Sequence, residues 1–162
     1  MEHPRLGRVV TAALLVTPVR IALGCTVLIA ARVAGAGSTA AALAFASLAG
    51  GTLFVIVNDP RRRFWRSRRG APLPAPDDAH YLSRAELVRS AIFPSTVGVT
   101  VLAAVAIVIG RDTLAAGLAG VLAGMGLASL AAGVDLLLRE RQTGCEYYAE
   151  SNGNQTFERR RL

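Results

Sequence analysis

The sequence predicts an all-α membrane protein whose four transmembrane helices form two helical hairpins. Three observations carry that prediction. Four separate stretches are apolar over the roughly 20 residues that a helix needs to cross a bilayer core of about 30 Å. Residues AVILMFWYC make up 52% of the 162-residue chain and charged residues only 18%, against about 25% charged in soluble proteins. No alternation of apolar and polar residues runs through the four stretches, which disfavours a membrane β-barrel. A helix also bonds its own backbone groups, which hydrocarbon makes costly to leave open.

The first predicted span covers residues 9–31 and is interrupted by Arg20. Residues 1–16 imitate the basic and apolar regions of a signal peptide, and Ala22-Leu23-Gly24-Cys25 imitates a lipoprotein cleavage site. Pro18 and Arg20 break the apolar run ahead of that site, so an uncleaved first helix is expected. The second span, residues 38–57, carries no charge and follows a tight turn at Gly35-Ala36-Gly37. A cytoplasmic loop, residues 58–86, separates the hairpins and holds Pro72, Pro74 and Pro76, which discourage helix. Within it, Ser83 and Glu86 mark a helix N-terminus. The third span, residues 87–109, contains Pro94, which predicts a kink with Ser95, Thr96 and Thr100 available to freed carbonyls. A second turn at Gly110-Arg111-Asp112 leads to the fourth span, residues 113–138, with Asp135 near its end. Residues 1–142 form the expected membrane domain, and residues 143–162 an expected disordered polar tail.

Charge sets the orientation. Net charge is +7, and all 18 basic residues are arginine. The N-terminus, the central loop with the start of span three, and the tail hold 2, 8 and 5 arginines, while each hairpin turn holds one. Positive charge stays cytoplasmic, so both termini are expected inside. Absent lysine beside abundant Ala, Gly and Arg points to a GC-rich bacterial genome, and hence to a bacterial cytoplasmic (inner) membrane.

The two hairpins share a pattern. Gly24-Cys25-Thr26-Val27-Leu28-Ile29-Ala30 parallels Gly98-Val99-Thr100-Val101-Leu102-Ala103-Ala104, and the same offset sets Gly50 on Gly124. A duplication would be a parallel repeat about an axis along the membrane normal; coincidental composition gives the same matches. Small residues recur at every fourth position in Ala116, Gly120, Gly124 and Ala128, and in Ala42, Ala46 and Gly50. That spacing keeps them on one helix face, where backbones approach closely. The face serves packing within the bundle or an interface with a membrane partner or a second copy.

Arg20 is the sharpest oddity. It lies about 16 Å along the first span by the helical rise of 1.5 Å per residue. A lone arginine at that depth costs at least about 2.5 kcal/mol, so it needs a partner or a route to water. Asp135 is the candidate partner for an intramembrane charge pair. The alternative is that Arg20 snorkels to the cytoplasmic surface and Asp135 pairs with Arg139 at i, i+4. Arg61, Arg62, Arg63, Trp65, Arg66, Arg68 and Arg69 follow the second span directly. They suit a topological anchor that contacts anionic lipid headgroups or an acidic partner protein, and their juxtamembrane position argues against nucleic acid.

Asp77-Asp78-Ala79-His80 lacks the spacing of a metal site, and Cys25 and Cys145 fall at different depths. The sequence has no phosphate loop, no nucleophile elbow and no paired histidines for haem. No catalytic residue, cofactor or metal ligand is therefore assigned. The expected function is that of a non-enzymatic accessory, assembly or interaction subunit of a membrane complex. The alternatives are a small oligomeric channel or transporter, and more remotely a holin-like pore former.

Overall fold

The computed structural model describes residues 5–58, 73–76, 79–150 and 156–160. Five helices dominate it: α1 (Val9–Ala34), α2 (Ser38–Asn58), α3 (Arg84–Ile92), α4 (Ser95–Val108) and α5 (Asp112–Thr143). Helices α1, α2 and α5 are each long and apolar enough to cross a membrane, and α3 with α4 makes a fourth such unit if the pair, bent by 50°, counts as one span. The helices end where local chemistry directs. Gly35 takes a φ of 126° that side-chain-bearing residues avoid, and its N–H bonds the Arg32 carbonyl to close α1. Gly144, at φ 68°, closes α5 with an N–H bond to the Glu140 carbonyl. At the start of α3, Ser83 and Glu86 form a reciprocal capping box.

Helix α5 is the axis of the bundle. Helix α1 packs along one side and α2 along another, each against glycines that let the backbones meet. A Cβ added at Gly24 of α1 would lie 2.9 Å from the Ala119 carbonyl oxygen of α5. One added at Gly124 would lie 2.6 Å from the Ala49 carbonyl oxygen of α2, and one at Gly120 would collide with the Phe45 carbonyl. Helix α4 adds Ala103 and Ala106, which join Val27, Ala31, Ala41, Ala115, Ala116, Ala119 and Leu122 in two adjoining clusters.

Three readings of the sequence meet the structure here. The small-residue face of α5 is buried as predicted at Ala116, Gly120, Gly124 and Ala128. The predicted face of α2 is not: Ala42, Ala46 and Gly50 are exposed, and nothing lies within 4 Å of a Cβ at Gly50. Helix α2 instead turns Ala41, Phe45, Ala49 and Thr52 inward, one residue off in register, with the partly exposed Leu48 at the edge of that face reaching Gly117. The proposed duplication also lacks a counterpart in the packing. It would carry the α1–α5 contact onto α2 and α4, which have no comparable contact among the described residues. Gly24 is buried against α5, whereas Gly98 meets nothing within 4 Å.

The third concerns the tail: the protein is mostly helical as expected, and a small sheet is added to the helices. At the end of the bundle away from the two turns lies a five-stranded sheet: β1 (Arg5–Arg8), β2 (Leu73–Pro74), β3 (His80–Tyr81), β4 (Cys145–Glu150) and β5 (Thr156–Arg160). Its order is β2-β5-β4-β1-β3, with the outer pairs parallel and the inner ones antiparallel. The segment expected to be a disordered tail thus supplies the central strand β4 and its neighbour β5. The register sets Arg8 against Tyr148 and Tyr148 against Phe157, so Leu6, Arg8, Tyr81, Glu146, Tyr148, Phe157 and Arg159 share one face. Leu6, Tyr148 and Phe157 form its buried centre. Tyr81 meets Tyr148 edge-on at 5.1 Å, and the Arg159 guanidinium lies 5.4 Å from the Tyr81 ring centre.

Candidate functional site

Arg20 sits where three elements meet α1. Its Nε donates to Thr96 Oγ1 in the first turn of α4 at 2.9 Å. Its Nη1 donates to Ser129 Oγ of α5 at 2.7 Å, and its Nη2 to the Ala91 carbonyl of α3 at 3.0 Å. The break explains why that carbonyl is available. Pro94 has no N–H, and the chain turns between Ile92 and Ser95, so the last carbonyls of α3 lose their partners four residues on. The acceptors are held firmly. Thr96 is fully buried, and Ser129 hands its own proton to the Met125 carbonyl at 2.8 Å, leaving its oxygen to accept from Arg20. Beside it, Thr17 Oγ1 bonds the Ala13 carbonyl at 2.9 Å and reaches the Gly126 carbonyl at 3.4 Å.

The Arg20–Asp135 pair is not formed. Asp135 lies six residues beyond Ser129, which at 100° per residue turns it about 240° around α5 and sets it about 9 Å further along. It pairs instead with Arg139, 3.4 Å away, with 46% of its side chain exposed. Every recorded partner of Arg20 is neutral, and among the described residues no carboxylate lies within ion-pair distance of it.

A second polar centre ties the bundle to the sheet. Arg8 Nη2 contacts Glu140 Oε2 at 2.7 Å and Glu146 Oε1 at 3.2 Å. Glu140, in the last turn of α5, is 1% exposed and accepts the Tyr147 backbone N–H at 3.1 Å. Tyr148 donates its hydroxyl to Glu146 at 2.8 Å. The bond to Glu140 holds the Arg8 guanidinium above its ordinary range, against the opposing effect of burial. Burial, with the Glu146 hydrogen bond and charge, pushes the Tyr148 phenol up to about 12. Sequence reasoning missed this centre because Arg8 and Glu140 stand 132 residues apart and neither lies inside an apolar run.

The remaining sequence-derived candidates fall elsewhere. Arg61, Arg62, Arg63, Trp65, Arg66, Arg68 and Arg69 lie outside the described residues, as do Asp77 and Asp78. Among the described residues no group of three His, Cys, Asp or Glu side chains could hold a metal ion, and both cysteines are free. What the geometry defines is a helical protein with several membrane-span-like helices and two internal polar clasps. Compared with known proteins, the chain matches no family model, no curated protein and no solved structure.

Proposed function

We propose that this chain is a four-span protein of a bacterial inner membrane, with both termini cytoplasmic, acting as a non-enzymatic accessory or assembly subunit. The observation that carries the subunit reading is the outward face of α2. Ala42, Ala46 and Gly50 keep the four-residue spacing of a close-packing helix face, yet α5 packs on the neighbouring face of α2, one residue or about 100° round. In the proposal, a helix of a larger membrane protein lies in that shallow track, flanked by exposed Leu43 and Phe54. The orientation is supported by geometry and charge together. Both turns, each with one arginine, lie at one end, and the termini and central loop, with 15 of 18 arginines, start from the other. The Arg61–Arg69 cluster would then meet anionic headgroups or an acidic partner at the cytoplasmic surface.

The test is purification in mild detergent with mass spectrometry of co-purifying proteins, for the native chain and for Ala46→Leu with Gly50→Leu. A stoichiometric membrane partner that is lost from the variant, at unchanged helical circular dichroism, supports the reading. A native chain that purifies alone or as a homo-oligomer overturns it.

A further inference from the structure

We propose that Arg20 and the break between α3 and α4 form a binding site for the phosphate group of an anionic phospholipid from the leaflet on the sheet side. The inference rests on the four-span orientation above and on three features of the site. The first is depth. Helix α2, with 21 residues, rises about 31 Å at 1.5 Å per residue, close to one hydrocarbon thickness. Counted from the turn end, Arg20 lies 14 residues below Ala34, or about 21 Å, and Ser129 lies 17 residues below Asp112, or about 25 Å. The guanidinium therefore stands about 5–9 Å inside the sheet-side boundary of a 30 Å core, close beneath the headgroups.

The second feature is charge. Two hydroxyls and one carbonyl supply dipoles but no counter-charge, and among the described residues no carboxylate reaches Arg20. A cation in this position attracts an anion, and the nearest abundant anion is a lipid phosphate at the headgroup level above it, which local thinning of the bilayer brings down to the site. The third is donor geometry. Arginine has five N–H groups, and the recorded bonds use one each on Nε, Nη1 and Nη2. Each terminal nitrogen keeps a further N–H beyond these bonds, and a phosphate oxygen accepts from such charged donors. Arg20 as a whole is half-buried, so its side chain is only partly enclosed by the bundle.

Native mass spectrometry of the full chain in detergent, offered phosphatidylglycerol, phosphatidylcholine or inorganic phosphate, tests the site. Both lipids carry a phosphodiester, but choline cancels its charge in phosphatidylcholine. The native chain is therefore expected to retain phosphatidylglycerol about fivefold over phosphatidylcholine, the ratio that about 1 kcal/mol for one arginine against an anionic lipid gives. Arg20→Gln is expected to remove that preference, and Arg141→Gln, at an exposed position late in α5, to keep it. Should Arg20→Gln not fold, Arg20→Lys is read instead: it keeps the charge, loses the planar fork, and is expected to retain only part of the preference. No preference in the native chain, or full preference in a folded Arg20 variant, overturns the proposal. Binding of inorganic phosphate equal to that of the lipid overturns the lipid assignment. Loss of the partner in the co-purification experiment leaves these readouts unchanged, so the two proposals fail separately.

Discussion

Gly124→Ala and Gly50→Ala make the same chemical change on two four-residue small stripes, and the structure gives them opposite outcomes. At Gly124 the new Cβ would lie 2.6 Å from the Ala49 carbonyl oxygen and 2.9 Å from Thr52 Cβ. Ordinary contact begins at 3.4 Å, so α2 must move about 0.8 Å away from α5 at that point. Overpacking of this kind costs about 1–3 kcal/mol. Helix α2 is poorly placed to absorb it, because α5 is its principal support and its contact with α1 is confined to a few residues. At Gly50 nothing lies within 4 Å, so alanine adds only helix propensity, about 1 kcal/mol in favour of the helix. Thermal unfolding in detergent, followed by circular dichroism, measures both. The expected result is a lowered Tm for Gly124→Ala and an unchanged or raised Tm for Gly50→Ala. Equal Tm values for the two variants would refute the assignment of the inner face of α2.

Thr96→Val removes one neutral acceptor from the Arg20 guanidinium and is expected to destabilise the fold by about 2 kcal/mol, the scale of a hydrogen bond to a charged group, read by chemical denaturation in detergent. Glu140→Gln removes the nearer of the two carboxylates at Arg8 and leaves Glu146, and is expected to cost about 2 kcal/mol, the scale of a hydrogen bond to a charged group. Faster proteolysis of the segment beyond Gly144 would report that loss. Tyr148 is expected to ionise near 12 in the folded protein against 10 in the unfolded chain. The folded state then holds its proton more tightly, so stability falls as pH rises from about 10 to about 12. Phenolate absorbance checks the titration, and Tyr148→Phe should remove that part of the pH dependence.

The helices were legible because a span of 20 apolar residues is a long signal. The sheet was not, because its five strands hold between two and six residues each and come from three distant segments. One part of it did carry a local mark. Tyr147-Tyr148 and Phe157 flank Asn152-Gly153, the dipeptide typical of tight hairpins, with aromatic residues that favour strands. Polarity and closing arginines hid that mark, since a polar stretch at a chain end reads equally as loose tail. The inner face of α2 was illegible for a different reason. In a helix this rich in alanine, Ala41, Ala42, Ala46 and Ala49 offer two faces of similar character. Only the neighbouring helix decides between them: the Leu48 side chain fills the space at Gly117, and the Phe45 and Ala49 backbones close on Gly120 and Gly124 of α5.

Arg20 and Pro94 were each visible in the sequence as local problems, and the structure makes them one solution. A proline break inside an apolar helix strips carbonyls of their donors, which a hydrocarbon setting penalises. An arginine in the same setting is penalised for its charge and its five donors. Seated together, the Nη2 of Arg20 satisfies the Ala91 carbonyl, while Thr96 and Ser129 occupy two further donors. Asp135 was the natural candidate only so long as opposite charge was taken as the first requirement. The arrangement instead meets the requirement for hydrogen bonds, and among the described residues no carboxylate neutralises the charge. That remainder distinguishes a purely structural clasp from a site with a ligand. A clasp needs only the three acceptors, and Arg20 brings to them a full positive charge and two donors they do not use.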